Sequence, residues 1–81
     1  MYYVYVLKGV RNGKRYIGYS GKLPEARLKE HNNGSNRYTK MNGPFELIHK
    51  EEYADKTIAI KRENFLKSGQ GRKFLDDLLG S

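Results

Sequence analysis

Arg27 and His31 stand four residues apart, so on a helix they project from one face, one turn from each other. A guanidinium in that position can fork onto a phosphate, and a neutral imidazole can take or relay a proton. The same segment carries Lys29 and Glu30, so a solvated helix face is the competing reading of the pair. Glu63 lies four residues after Ala59 and three before Leu66, which sets a carboxylate within or beside an apolar stripe. A carboxylate at the edge of a core needs a cation, hydrogen bonds or a metal. Arg62 or Lys67 would supply an ion pair. Mg2+ would suit the same position, because it takes oxygen ligands and often binds through one carboxylate plus waters and phosphates. Tyr5 and Tyr16 are a further candidate pair, although tyrosine is also a good strand residue that packs its ring and wets its hydroxyl. His49, in line with Phe45 and Leu47, reads as structural. The chain has no cysteine, which excludes disulfides, thiolate zinc sites and a cysteine nucleophile. It also lacks a metal-binding histidine pair, a phosphate-binding loop and a Gly-x-Ser-x-Gly elbow.

The elements that must position these residues follow from local pattern. Tyr2 to Leu7 is β-branched and aromatic without a polar break, as in a strand buried on both faces. Asn12-Gly13 is a strong hairpin signal, and Arg15 to Ser20 is the returning strand. With a two-residue turn, Tyr16 faces Gly9 and Gly18 faces Leu7. Tyr5, Leu7, Gly9, Tyr16, Gly18 and Ser20 then share one face. That register puts the two tyrosines roughly 13 Å apart along the ladder, leaning together over the bare Gly18.

Pro24 opens a helix that runs to about Asn32, with Glu25 near its positive end and Asn33-Gly34 to stop it. Residues 33–44 are rich in Asn, Gly and Ser and read as a loop. Phe45 to Tyr53 alternates as a third strand. Asp55 caps a helix through Lys67 that Ser68-Gly69 closes. A last helix fits Arg72 to Leu79, with Phe74, Leu75, Leu78 and Leu79 as its apolar stripe. The expected fold class is α+β: a small three-stranded antiparallel sheet flanked by helices, in the order β-β-α-β-α-α.

With 81 residues the chain is expected to form a single domain over 1–81. No apolar run approaches a membrane span and the N-terminus is not a signal peptide, so a cytoplasmic protein without membrane contact is expected. Charge is more telling. Residues 1–40 hold nine basic and two acidic side chains, whereas residues 41–81 hold seven of each, so the whole net charge of +7 sits in the first half. Such asymmetry favours a polyanion, nucleic acid before anionic membrane. An adaptor for membranes or proteins is the weakest alternative, since no basic amphipathic helix with a large apolar face occurs.

Tyr3-Val4-Tyr5 followed by Tyr16-Ile17-Gly18 resembles the paired signature of the GIY-YIG nuclease superfamily. The match continues through Arg27-x3-His31-Asn32, Tyr38-Thr39 and Ala59-x2-Arg62-Glu63-x2-Leu66-Lys67. It is closest to the small stand-alone bacterial members. Tyr3 stands where the first tripeptide usually has glycine, the stretch from Tyr16 to Arg27 is one residue longer than usual, and the C-terminal asparagine of larger members has no counterpart.

The resemblance implies the same sheet-and-helix order and a metal-dependent endonuclease acting on DNA phosphodiesters. It implies Tyr5, Tyr16, Arg27, His31 and Glu63 as catalytic residues, with Glu63 holding Mg2+ or, in its place, Mn2+. In that scheme Arg27 neutralises charge on the phosphate and Tyr16 orients the water or the phosphate. The water's proton passes to Tyr5 or through it to His31. A free tyrosine has a pKa near 10, too high for a base at neutral pH, so nearby positive charge must lower it or His31 must take the proton. Lys8, Arg11, Lys14, Arg15, Lys22, Lys29, Arg37 and Lys40 would form a basic strip that holds the backbone without reading bases. This suits recognition of shape or ends rather than long sequences. The rival is a module of the same fold that binds nucleic acid without cutting it. Homodimerisation or a partner protein stays open.

Overall fold

The unbroken apolar run at the N-terminus forms the middle strand of the sheet, where both faces are covered. A computed structural model describes residues 1–33 and 44–80. Within it, β1 (Tyr2–Gly9) lies between β2 (Arg15–Ser20) and β3 (Phe45–Tyr53) in the order β2-β1-β3, with both pairings antiparallel. The helices are α1 (Pro24–Asn32), α2 (Lys56–Lys67) and α3 (Gly69–Leu79). The order is β-β-α-β-α-α and the class α+β, as expected. The expected loop over 33–44, with Arg37, Tyr38, Thr39 and Lys40, falls outside the described residues apart from Asn33 and Pro44.

The two faces of β1 serve different helices. Val4 and Val6 join Ala59, Leu66 and Leu75 in a fully buried cluster under α2 and α3. Val4, the branched middle residue of the first tripeptide, is thus a core residue of that face. On the other face Tyr5, Leu7 and Phe45 pack with Tyr16, Leu28 and Leu47 under α1.

The hairpin register differs from the expectation. Gly9 N–H donates to the Lys14 carbonyl at 2.8 Å and Gly13 N–H to the Gly9 carbonyl at 2.9 Å, while the Asn12 side chain accepts from Lys14 N–H at 2.9 Å. The connection is therefore longer than a two-residue turn, with Gly13 supplying the positive φ of 69°. Tyr5 consequently faces Gly18 and Leu7 faces Tyr16. The slip is by an even number of residues, so every side chain keeps its face. It halves the spacing of Tyr5 and Tyr16 along the ladder to roughly 7 Å.

A second correction concerns His49. The β1–β3 ladder pairs Val6 with His49 but Leu7 with Leu47, so Ile48 is an extra residue in a bulge. The bulge reverses the alternation and turns His49 away from Phe45 and Leu47, onto the α2 face. There His49 remains structural: Glu51 takes its Nε2 at 2.8 Å, the Tyr53 hydroxyl at 2.6 Å, and Arg62 through Nε at 2.8 Å and a terminal nitrogen at 3.0 Å.

Asp55 caps α2 as expected, accepting from Thr57 N–H at 2.7 Å. The last helix starts at Gly69 instead of Arg72. Ser68 both ends α2, donating its hydroxyl to the Phe65 carbonyl, and caps α3, accepting from Gly71 N–H. Two glycines in the first turn hide the helix from propensity, yet Gly71 is required. A Cβ there would lie 2.0 Å from the Phe65 carbonyl oxygen. Only part of the expected stripe is buried: Leu75 is in the core and Leu79 half-buried, whereas Phe74 and Leu78 are 37% and 52% exposed. Arg62 lies over the Phe74 ring, 4.8 Å from its centroid.

Candidate active site

The site begins with a side chain that needs its neighbour to have none. Tyr5 projects from the central strand across Gly18 of β2, and a Cβ at Gly18 would meet the Tyr5 hydroxyl at 2.6 Å and its ring at 2.8 Å. Helix α1 closes over this face. Its start is held by Pro24 in the first turn. Its end is latched to β3 by Asn32, whose side-chain amide donates to the Phe45 carbonyl at 3.0 Å and whose side-chain oxygen accepts from Phe45 N–H at 2.7 Å. Between β2 and α1 the chain bends at Gly21 and Lys22, where Lys22 N–H donates to the Ser20 hydroxyl at 3.0 Å.

This placement rules out a solvated face for His31, which is only 2% exposed. Its ring sits edge-on to Tyr16 at 4.9 Å between centroids, with Tyr5 at 6.3 Å and Phe45 at 6.2 Å. Neither ring nitrogen has a hydrogen-bond partner among the described residues. Burial first, and the Arg27 charge second, hold its pKa below the usual 6.5. The imidazole is therefore neutral at neutral pH and keeps one free lone pair.

Arg27 is half-buried, faces the Tyr5 hydroxyl, and pairs with Glu30 one turn on. Glu30 also accepts from Lys22 at 2.8 Å. Lys22 and then Arg27 keep the Glu30 carboxyl below its ordinary range. For Tyr5, burial outweighs the opposing guanidinium and pushes the phenol above 10. The protein's own charges thus do not produce the lowered tyrosine pKa that a Tyr5 base requires. His31 is the group with a proton acceptor available.

Glu63 comes from α2, and its charge is close enough to oppose ionisation of Tyr5. Its side chain is 13% exposed and Lys67 lies 3.6 Å away. Arg62, the other cation considered for it, belongs to Glu51. Among the described residues no group of three His, Cys, Asp or Glu is placed to hold a metal. The donor set fits only an ion that keeps most of its shell as water or substrate oxygen, which is the habit of Mg2+.

The described basic residues are spread over several parts of the surface. Lys22 is held at the site by Glu30. Lys8, Lys14 and Arg15 line a groove on the α3 side together with Tyr16, and Arg11 and Lys29 are exposed elsewhere. Arg37 and Lys40 lie outside the described residues. One contributor was not singled out from the sequence: Glu30, which pairs with Arg27 and Lys22. Glu30 had a visible signal in its spacing of three from Arg27.

Residues 1–74 match the family model of the GIY-YIG catalytic domain. The chain belongs to the GIY-YIG family. Similar proteins include a UPF0213 protein of Staphylococcus epidermidis, 41% identical over 68 residues and covering 83% of this chain and 80% of its own length. A UPF0213 protein of Staphylococcus saprophyticus is 36% identical over 91% of this chain and 89% of its own. One of Staphylococcus aureus is 37% identical with the same coverage. No solved structure gives a significant match. In this GIY-YIG chain the two signature tripeptides are neighbouring strands, and the tyrosines that end the first and open the second meet the α1 histidine over one glycine. No helix among the described residues is long and apolar enough to cross a membrane.

Proposed function

We propose that this chain is a metal-dependent endonuclease that hydrolyses nucleic-acid phosphodiesters, DNA first, and recognises shape or ends instead of sequence. One observation carries the reading: a buried neutral imidazole with unpartnered nitrogens, a guanidinium and two tyrosines converge from both strands and α1 over Gly18, with a carboxylate beside them. Buried side-chain nitrogens are ordinarily paired, so a buried histidine with neither nitrogen paired among the described residues supports a functional role.

In this reading Arg27, oriented by Glu30, neutralises charge as it builds on the phosphate. His31 accepts the proton of the attacking water through its free lone pair. Tyr5 stays protonated; its hydroxyl faces Arg27 and donates a hydrogen bond toward the phosphate. Tyr16 packs His31 edge-on and positions it. Glu63 is the residue that would hold the divalent cation, which supplies charge stabilisation at the phosphate and leaving oxygen when bound.

The test is cleavage of labelled duplex, single strand, flap and three-way junction with Mg2+, Mn2+ or EDTA, using wild type and Glu63→Gln purified identically. Metal-dependent cutting that drops at least a hundredfold in Glu63→Gln is expected. The Lys67–Glu63 pair favours a second reading, a binding module in which Glu63 is merely a salt-bridge partner. Persistent binding with no cutting across the panel would establish that reading instead.

A further inference from the structure

On the side of the sheet away from α1, the hairpin and α3 leave an open groove whose lining combines two chemistries. Its floor is apolar: Ile17 and Ile48 from the outer strands and Leu79 from α3 are partly exposed, over the buried Leu75. Its rim carries the cations Lys8, Lys14, Arg15, Lys67 and Arg72, against the two carboxylates Glu46 and Asp76. Lys8, Lys14 and Arg72 make no ion pair among the described residues, whereas Asp76 holds Arg15 at 2.7 Å. Tyr16 lines this groove and also touches His31, and Lys67 lines it and pairs with Glu63. Tyr16 and Lys67 therefore link the groove to the candidate active site.

We propose that this groove binds an unpaired strand of nucleic acid flanking the phosphate to be cut, with base faces on the apolar floor and phosphates on the cationic rim. The inference rests on the nuclease reading for its ligand class and deepens it. A duplex backbone offers only phosphates and sugars to such a surface and has no use for the floor. A strand with exposed base faces uses both, because stacking on apolar or aromatic surface is tolerant of sequence while the rim tracks charge. Asp76 acts as a guard: it occupies Arg15, and a phosphate must displace it.

Fluorescence anisotropy tests this with a labelled single strand of about twelve nucleotides, the matching blunt duplex, and the same strand bearing abasic spacers, at salt from roughly 50 to 200 mM. Wild type is expected to bind the single strand at least about fivefold tighter than the duplex or the abasic strand. Arg72→Ala should weaken single-strand binding by about fivefold or more and lower the salt slope by about one contact. Lys73→Ala, the same charge change on the neighbouring exposed residue, should stay within about twofold. Asp76→Asn should tighten binding several-fold and Asp77→Asn should not. Equal effects of Arg72→Ala and Lys73→Ala, or equal affinity for single strand and duplex, would overturn the proposal. If these differences hold while wild type cuts nothing, the groove stands and the nuclease reading fails. Glu63-dependent cutting with Arg72 and Lys73 equivalent is the converse.

Discussion

Gly18 shows how one missing side chain organises the candidate site. Its hydrogen leaves room for the Tyr5 ring, which is pinned between the sheet and α1 and cannot move aside cheaply. Gly18→Ala is expected to cost about 1–3 kcal/mol through overpacking and to reduce cleavage more than tenfold, read by a thermal melt and a single-turnover assay on one preparation. The proton acceptor is tested by pH. Burial keeps the His31 pKa below 6.5 and the Tyr5 pKa above 10. With His31 as the base, the cleavage rate at saturating metal climbs with pH below 6.5 and is flat above neutrality. A rate still climbing toward pH 10 would return the role to Tyr5. His31→Ala should remove the acidic limb along with most of the rate.

At the scale of elements, the α2–α3 corner depends on backbone approach more than on side chains. At Gly71 a Cβ would press on the Phe65 carbonyl and lie 2.4 Å from the Leu66 Cα, and neither can yield without parting the helices. Gly71→Ala should therefore destabilise the fold by about 3 kcal/mol or more, since Leu75 is drawn off Leu66. Gly69 begins the same helix with nothing within 4 Å of its added Cβ. Gly69→Ala should stabilise by about 0.5–1 kcal/mol, because only the unfolded chain's freedom is reduced. Paired urea titrations of the two variants measure both. The same corner explains why propensity placed the start of α3 too late. Two glycines look like a linker until the close approach that demands Gly71 is visible. By contrast α1 and β3 carry their ends in the sequence, through Pro24 at the first helical position and the strand-forming run that opens at Phe45 after Pro44.

For the molecule as a whole, Glu51 ties β3 to α2 and sets the acid limit of stability. Burial alone would raise its pKa, but hydrogen bonds from Arg62, His49 and Tyr53 outweigh it and hold the carboxyl at about 2, against 4.5 unperturbed. Below pH 4.5 the unfolded chain takes up a proton that the folded one refuses, so stability falls as pH drops toward 2. The contribution at stake is at most roughly 3 kcal/mol. Chemical denaturation from pH 7 to 2 should show this loss, and Glu51→Gln should lower stability at pH 7 and flatten the decline. The net charge of +7 acts at the same scale: such a balance favours polyanion partners, while the fold puts Arg27 and Lys22 at the α1 site and Lys8, Lys14 and Arg15 in the α3 groove.

Local sequence determined the element types, the face shared by Tyr5, Tyr16 and Gly18, and the common helix face of Arg27 and His31, because side-chain alternation and the helical repeat are properties of neighbouring residues. The longer hairpin turn altered register yet left the faces intact, since the slip was even. Tertiary structure alone decided the distance between the tyrosines, the reversal of His49 at the Ile48 bulge, and the division of Arg62 and Lys67 between Glu51 and Glu63. It also decided the sign of the Tyr5 and His31 shifts. These depend on which groups from distant segments share a buried volume, and burial and charge there act over a few ångströms regardless of sequence separation.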